Sequence, residues 1–212
     1  MPVIAVVGNK GGAGKTTLSV NLAAGLSKQT SIAIVDADPQ GSALQWHAIA
    51  DEAGTLPVFP ASDDLHAQTD SLLQKHQYIV IDCPPSVHSP QTSAALEISH
   101  MALVPVQPSP MDLWATVHIE RAISSARETN PSLRAMLVIN QLETRTTLSR
   151  LVREALYVIA LPVADTALRR RAIYRNSALE GRSVFDMGRR GIDAVTEIDQ
   201  LIQEVVQHDN HG

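Results

Sequence analysis

The chain has 212 residues, 44% of them apolar, 18% charged and 3% aromatic, with a formal net charge of −5. That length carries one sizeable α/β domain. A core so poor in aromatics must be built from Ala, Val, Ile and Leu, which suits a parallel sheet covered on both faces. A single cysteine, Cys83, excludes a disulfide framework within the chain. No apolar run approaches the roughly 18 residues of a membrane span, and the first ten residues lack a signal-peptide pattern, so a cytoplasmic protein is expected.

Strand-like and helix-like segments alternate in chain order. Pro2–Val7 is a short apolar run leading into a Gly-rich loop, and Thr16–Leu26 follows as a helix with Leu18, Leu22 and Leu26 on one face. Strands are expected at Ser31–Val35, Gln77–Ile81, Met101–Val106, Ala135–Ile139 and Tyr157–Leu161. Helices are expected at Leu113–Glu128 and Leu148–Leu156, with a last one at about 192–206 that packs on the sheet with an acidic outer face. The predicted fold is an open, mostly parallel twisted sheet with helices on both faces, in one domain over residues 1–207. Residues 208–212 read as a disordered tail. Most strand ends carry a polar or special residue, namely Gly8, Asp36, Asp82, Gln107 and Asn140. In such sheets ligands bind at the carboxyl ends of the strands.

The segment Lys10-Gly11-Gly12-Ala13-Gly14-Lys15-Thr16-Thr17 follows a strand and opens a helix, the context of a phosphate-binding loop. Its glycines let backbone N–H groups face phosphates, and the helix N-terminus adds a positive dipole end. Lys15 is the residue for the β- and γ-phosphates of ATP, Thr16 for Mg²⁺ and Thr17 for the α-phosphate. Asp36 and Asp82 end apolar strands beside this loop. They fit a hard Mg²⁺ ion held mainly through its waters; helix capping is the plainer role for both. Asn140 sits where an amide can read an adenine edge or simply cap a strand. The segment 162–165 is a candidate for the other side of the base. Cys83 reads as a small buried hydrophobe.

Charge is unevenly spread. Residues 1–120 hold 4 Lys, no Arg and 11 acids, for −7. Residues 121–212 hold 13 Arg, no Lys and 11 acids, for +2.

One position breaks the usual phosphate-loop pattern. Asn9 stands where a glycine would be, followed by Lys10. With KGGAGKTT (10–17), VDADPQGSA (35–43), YIVIDCPPS (78–86), LVPVQPS (103–109) and ALEGRSVFD (178–186), the chain resembles the ParA/MinD family of deviant Walker A ATPases over most of its length. It is closest to small ParA partition and positioning proteins. The resemblance implies a Mg-ATP-dependent homodimer of low intrinsic turnover. Lys10 would reach the partner's phosphates, and Asp38 would orient the attacking water. Gln40 and residues 84–86 would form switch loops. It also implies nucleoid association through non-specific DNA binding, with Arg145, Arg169, Arg170, Arg171, Arg175 and Arg189 as candidates. A cargo-linked partner protein would stimulate hydrolysis. A solvated arginine face is the plainer alternative. Competing functions are a membrane-bound MinD-like regulator, disfavoured by an acidic C-terminus, and a small-molecule ligase of the same fold. An iron–sulfur relative would need more than one cysteine per chain.

Overall fold

The computed structural model describes residues 2–50, 56–143 and 159–207. Six strands form one all-parallel sheet: β1 (Val3–Val6), β2 (Ile32–Asp36), β3 (Val58–Pro60), β4 (Tyr78–Asp82), β5 (Met101–Val106) and β6 (Arg134–Ile139). Their spatial order is β3-β2-β4-β1-β5-β6. Among the described residues seven helices surround them: α1 (Lys15–Leu26), α2 (Ser42–Ile49), α3 (Leu65–Leu73), α4 (Pro90–Ile98), α5 (Pro110–Thr129), α6 (Ala172–Leu179) and α7 (Ile192–Gln207). Two 3₁₀ turns, Val184–Asp186 and Gly188–Gly191, precede α7.

Successive strand residues point to opposite faces, and both faces are dry here. Ala5, Val35, Ile81, Val104 and Leu137 pack on one side with Leu65, Ala95, Leu96, Ile119 and Ile123, which belong to α3, α4 and α5. Val6, Ile34, Val80, Leu103 and Val138 pack on the other side with Leu18, Leu22, Ala43, Trp46, Ile198 and Leu201 of α1, α2 and α7. The near-continuous apolar strands follow from this double cover. So does the burial of almost every α1 residue from Leu18 to Leu26, because α1 lies between the sheet and α7. A Cβ placed on Gly25 would lie 2.4 Å from Ile202 Cδ1 and 2.9 Å from Phe185 Cζ, so glycine there sets how close α7 can come.

Local signals place several helix starts. Asp64 accepts a hydrogen bond from Ala67 N–H at the head of α3, and Ser89 accepts one from Thr92 N–H with Pro90 in the first turn of α4. The strand expected at 157–161 is not formed in its described part, residues 159–161. Only a single parallel bridge, Leu137 to Val163, extends the sheet there. The helix expected at 148–156 and the tail lie outside the described residues. No helix of the described residues is long and apolar enough to cross a membrane.

Candidate nucleotide site

All six strands run the same way, so the loops after β1, β2, β4, β5 and β6 meet at one edge of the sheet. β1 is flanked by β4 and β5, and the chain leaves it in one direction for β2 and β3 and later returns on its other side. That reversal is where an open α/β sheet opens a crevice.

The loop after β1 is held open by glycine. Gly12 and Gly14 have φ of 77° and 90°, in the left-handed region that suits glycine. A Cβ on Gly11 or Gly12 would meet nothing within 4 Å, whereas one on Gly14 would lie 2.3 Å from Asn140 Nδ2. The loop therefore faces open space on one side and is packed against β6 on the other. Three amides fasten it. Asn140 donates to the Ala13 carbonyl (2.7 Å), Gln107 to the Gly12 carbonyl (2.7 Å) and Gln141 to the same Gly12 oxygen (3.0 Å). Gln141 adopts φ 56° and is the only non-glycine with positive φ among the described residues. Its left-handed turn is the strain that accompanies this grip on the loop.

Lys15 is buried, and its ammonium donates to the Lys10 carbonyl (3.1 Å). Burial lowers its pKa, opposed by the charges of Asp82 and Asp38. Thr16 Oγ1 donates to Asp82 Oδ2 (2.6 Å), and Ser19 Oγ lies 2.9 Å from Asp82 Oδ1 and 3.0 Å from the Lys15 carbonyl. Asp82 is fully buried. Burial pushes its pKa up to about 7, against the hydrogen bonds from Thr16 and Ser19 that hold it down. Asp36 and Asp82 are register partners on β2 and β4. The Asp36 carboxylate accepts from the N–H groups of Asp38, Ala43 and Leu44, yet burial still raises its pKa. Asp36 thus does cap the head of α2 while standing beside the loop. Asp38 accepts from Gln40 N–H (2.9 Å).

Gly11, Gly12, Gly14, Lys15, Thr16 and Asp38 line a concavity of about 350 Å³. Its open glycine backbone, buried ammonium and nearby carboxylates fit a polyphosphate with a divalent cation. Among the described residues no three His, Cys, Asp or Glu side chains cluster to hold a metal alone. A second concavity of about 500 Å³ adjoins it, lined by Gly14, Thr17, Asn140, Leu168, Tyr174 and Ala178. The expected wall at residues 162–165 does not line it; Leu168 and α6 do.

The arginines divide by environment. Arg171 donates to Glu197 (2.8 Å) and Asp193 (2.9 Å), Arg169 lies 3.7 Å from Glu197, and Arg170 pairs with Glu143 (2.6 Å). Glu197 and Glu204 of α7, expected on an acidic outer face, instead turn onto residues 165–171. Glu204 accepts from the N–H groups of Asp165 and Thr166 and from the Thr166 hydroxyl. Arg175, Arg189 and Arg190 are exposed, and no ion pair joins them to a described residue. Arg145 lies outside the described residues. Cys83 is buried, as expected of a small hydrophobe.

Sequence reasoning missed Ser19, Gln141 and the loop contact of Gln107. Ser19 had one legible signal, a small polar residue one helical turn beyond Thr16. The left-handed turn at Gln141 had none.

A six-stranded parallel sheet with a glycine loop, a buried Lys and Asp and a half-buried Thr at its switch point defines a P-loop nucleotide-binding protein. The chain belongs to the CobQ/CobB/MinD/ParA nucleotide binding domain family, whose model matches residues 4–184. It is 41% identical over 206 residues to maintenance of carboxysome distribution protein A of Halothiobacillus neapolitanus, covering 96% of this chain and 95% of that one. Among solved structures, apo McdA of Cyanothece matches with a TM-score of 0.74 at 16% identity, over 93% of this chain and 99% of that one. Cobyrinic acid a,c-diamide synthase of Mycobacterium smegmatis with ADP and magnesium matches with a TM-score of 0.74 at 22% identity, over 100% and 96%.

Proposed function

We propose that the chain is a ParA-type positioning ATPase. ATP with Mg²⁺ occupies the concavity over residues 10–17, and the bound state is a homodimer that binds DNA without sequence preference in the nucleoid. A partner carried by the cargo stimulates hydrolysis and so releases the dimer. The cargo is a protein assembly of the carboxysome kind. The observation that carries this reading is the convergence of Lys15, Thr16, Asp82, Asp36 and Asp38 on one glycine loop.

Phosphoryl transfer is catalysed mostly by positioning and charge. Lys15 supplies fixed positive charge at the floor of the site. Thr16, with Asp82 and Asp36 behind it, would hold Mg²⁺, which would supply positive charge against the phosphates. Asp38 lies at the mouth, where it orients the attacking water. Lys10, exposed on the loop's rim, acts across the dimer as an arginine finger does in other ATPases. The carboxysome relative, matched almost end to end, supports the positioning branch over a small-molecule synthase, whose likeness is one of fold.

The test is turnover. Asp38→Ala is expected to bind ATP as the parent does and to lose at least tenfold in hydrolysis. Parental turnover in that variant removes Asp38 from the mechanism.

A further inference from the structure

The phosphate loop has little with which to brace itself. Gly11, Gly12 and Gly14 carry no side chains, and a Cβ on Gly11 or Gly12 would meet nothing within 4 Å. Glycine backbone left free samples many shapes, so the observed one must be held from outside the loop. The hold comes from the ends of β5 and β6. Val106 and Ile139 are register partners, so Gln107 and Asn140 leave the sheet side by side, with Gln141 next in the chain. Gln107 Nε2 (2.7 Å) and Gln141 Nε2 (3.0 Å) both donate to the Gly12 carbonyl. A carbonyl only accepts, so both side chains must present their NH₂ ends to it.

Gln141 is fixed for this reach. Its N–H donates to Asn140 Oδ1 (2.9 Å), which secures the left-handed turn at φ 56°. A residue other than glycine stays in such a turn only where its surroundings over-determine it. Gln141 also stands on the border of both concavities, the one over the glycine loop and the one lined by Thr17 and Tyr174. A trans peptide is planar, with its C=O and N–H pointing opposite ways. Drawing the Gly12 oxygen toward the ends of β5 and β6 therefore turns the Ala13 N–H away from them, toward the open side of the loop. A carbonyl that accepts two hydrogen bonds also polarises its peptide and makes that N–H a stronger donor.

We infer that Gln107 and Gln141 are positioning residues for phosphate binding, acting through the Gly12 carbonyl to aim the Ala13 N–H at the phosphate chain of the nucleotide. This rests on the reading above that ATP occupies the loop. The two amides share one oxygen, so either alone keeps the peptide turned, and the aim is lost only when both are removed.

The test is calorimetry on the full chain with Mg-ATP and with Mg-tripolyphosphate, a probe that has no base. Gln107→Met and Gln141→Gly each delete one amide, and glycine accepts the left-handed turn without strain. Each single variant is expected to weaken Mg-ATP binding by no more than about threefold. The double variant is expected to lose about thirtyfold or more, for Mg-ATP and Mg-tripolyphosphate alike, at a parental melting temperature. A loss beyond the product of the two singles is a readout that general loosening would not give, because unrelated lesions multiply. Parental Mg-ATP affinity in the double variant or a purely multiplicative loss would overturn the proposal. So would a loss for ATP that spares tripolyphosphate, which would assign Gln141 to the second concavity instead. Failure of the parent to bind Mg-ATP would overturn the ATPase reading and this one with it, whereas tight parental binding kept by the double variant counts against the amide clasp alone.

Discussion

Asp82 concentrates the chemistry of the site in one side chain. It is wholly buried, receives hydrogen bonds from α1 and stands level with Asp36 on the neighbouring strand. An Asp whose folded pKa of about 7 lies above its ordinary 3.8 holds its proton more tightly when folded. It therefore contributes stability as pH falls through 7 toward about 4, and withdraws it as pH rises over the same window. Protonated Asp82 can donate to Ser19 Oγ while Ser19 donates to the Lys15 carbonyl, so every proton has a place. In metal-free protein, Asp82→Asn is expected to flatten the rise in melting temperature between pH 7.5 and pH 5.5, each pH being set for the assay near that window. An unchanged pH slope would mean that Asp82 does not titrate there. At this same scale the sequence was most legible. KGGAGKTT and the strand-end acids are short-range patterns whose geometry the backbone enforces. The clasp of Gln107 and Gln141 on Gly12 was not legible, because it joins residues 95 and 129 positions apart.

At the scale of elements, apolar runs bounded by polar strand ends fixed five of the six strands within a residue or so. The edge strand Val58–Pro60 escaped notice because three residues, two half-buried and one exposed, carry no period. Residues 159–161, the described part of the strand expected at 157–161, stay outside the sheet for a related reason. An apolar run says that a segment is buried, and Leu161 is, but not that it joins the ladder. The α1–α7 contact is tertiary and shows in the sequence only as a glycine inside a helix. Gly25→Ala should improve helix propensity, yet its Cβ would collide with Ile202 and Phe185. Overpacking of this kind costs about 1–3 kcal/mol. Gly25→Ala is therefore expected to lower stability in urea unfolding, with partial recovery when Ile202 becomes Val. A stabilised variant would show that α7 can retreat freely.

Across the whole molecule, charge is sorted by partner. The sequence pattern made Arg169, Arg170 and Arg171 the obvious phosphate readers, since three consecutive arginines look like surplus charge. Folding brings Glu143, Asp193 and Glu197 to them from other segments, so much of that charge is already spent inside the protein. Arg171, with its side chain 24% exposed, ties α6 to α7. Arg175, Arg189 and Arg190 remain exposed. Replacing Arg189 and Arg190 together by Ala is expected to weaken mixed-sequence DNA binding and to lower the slope of log affinity against log salt by about 2, at roughly 0.9 per lost phosphate contact. Arg171→Ala should instead lower the melting temperature. The reverse pattern would return the DNA surface to the consecutive arginines.

Nucleotide-driven assembly is read out by sedimentation of Asp38→Ala with Mg-ATP, with Lys10→Ala added to the same variant as the control. A dimer for Asp38→Ala that reverts to monomer with ADP, and a monomer once Lys10 is also replaced, is the expected result. One mass for every nucleotide, or a dimer indifferent to Lys10, would contradict a site shared between two chains.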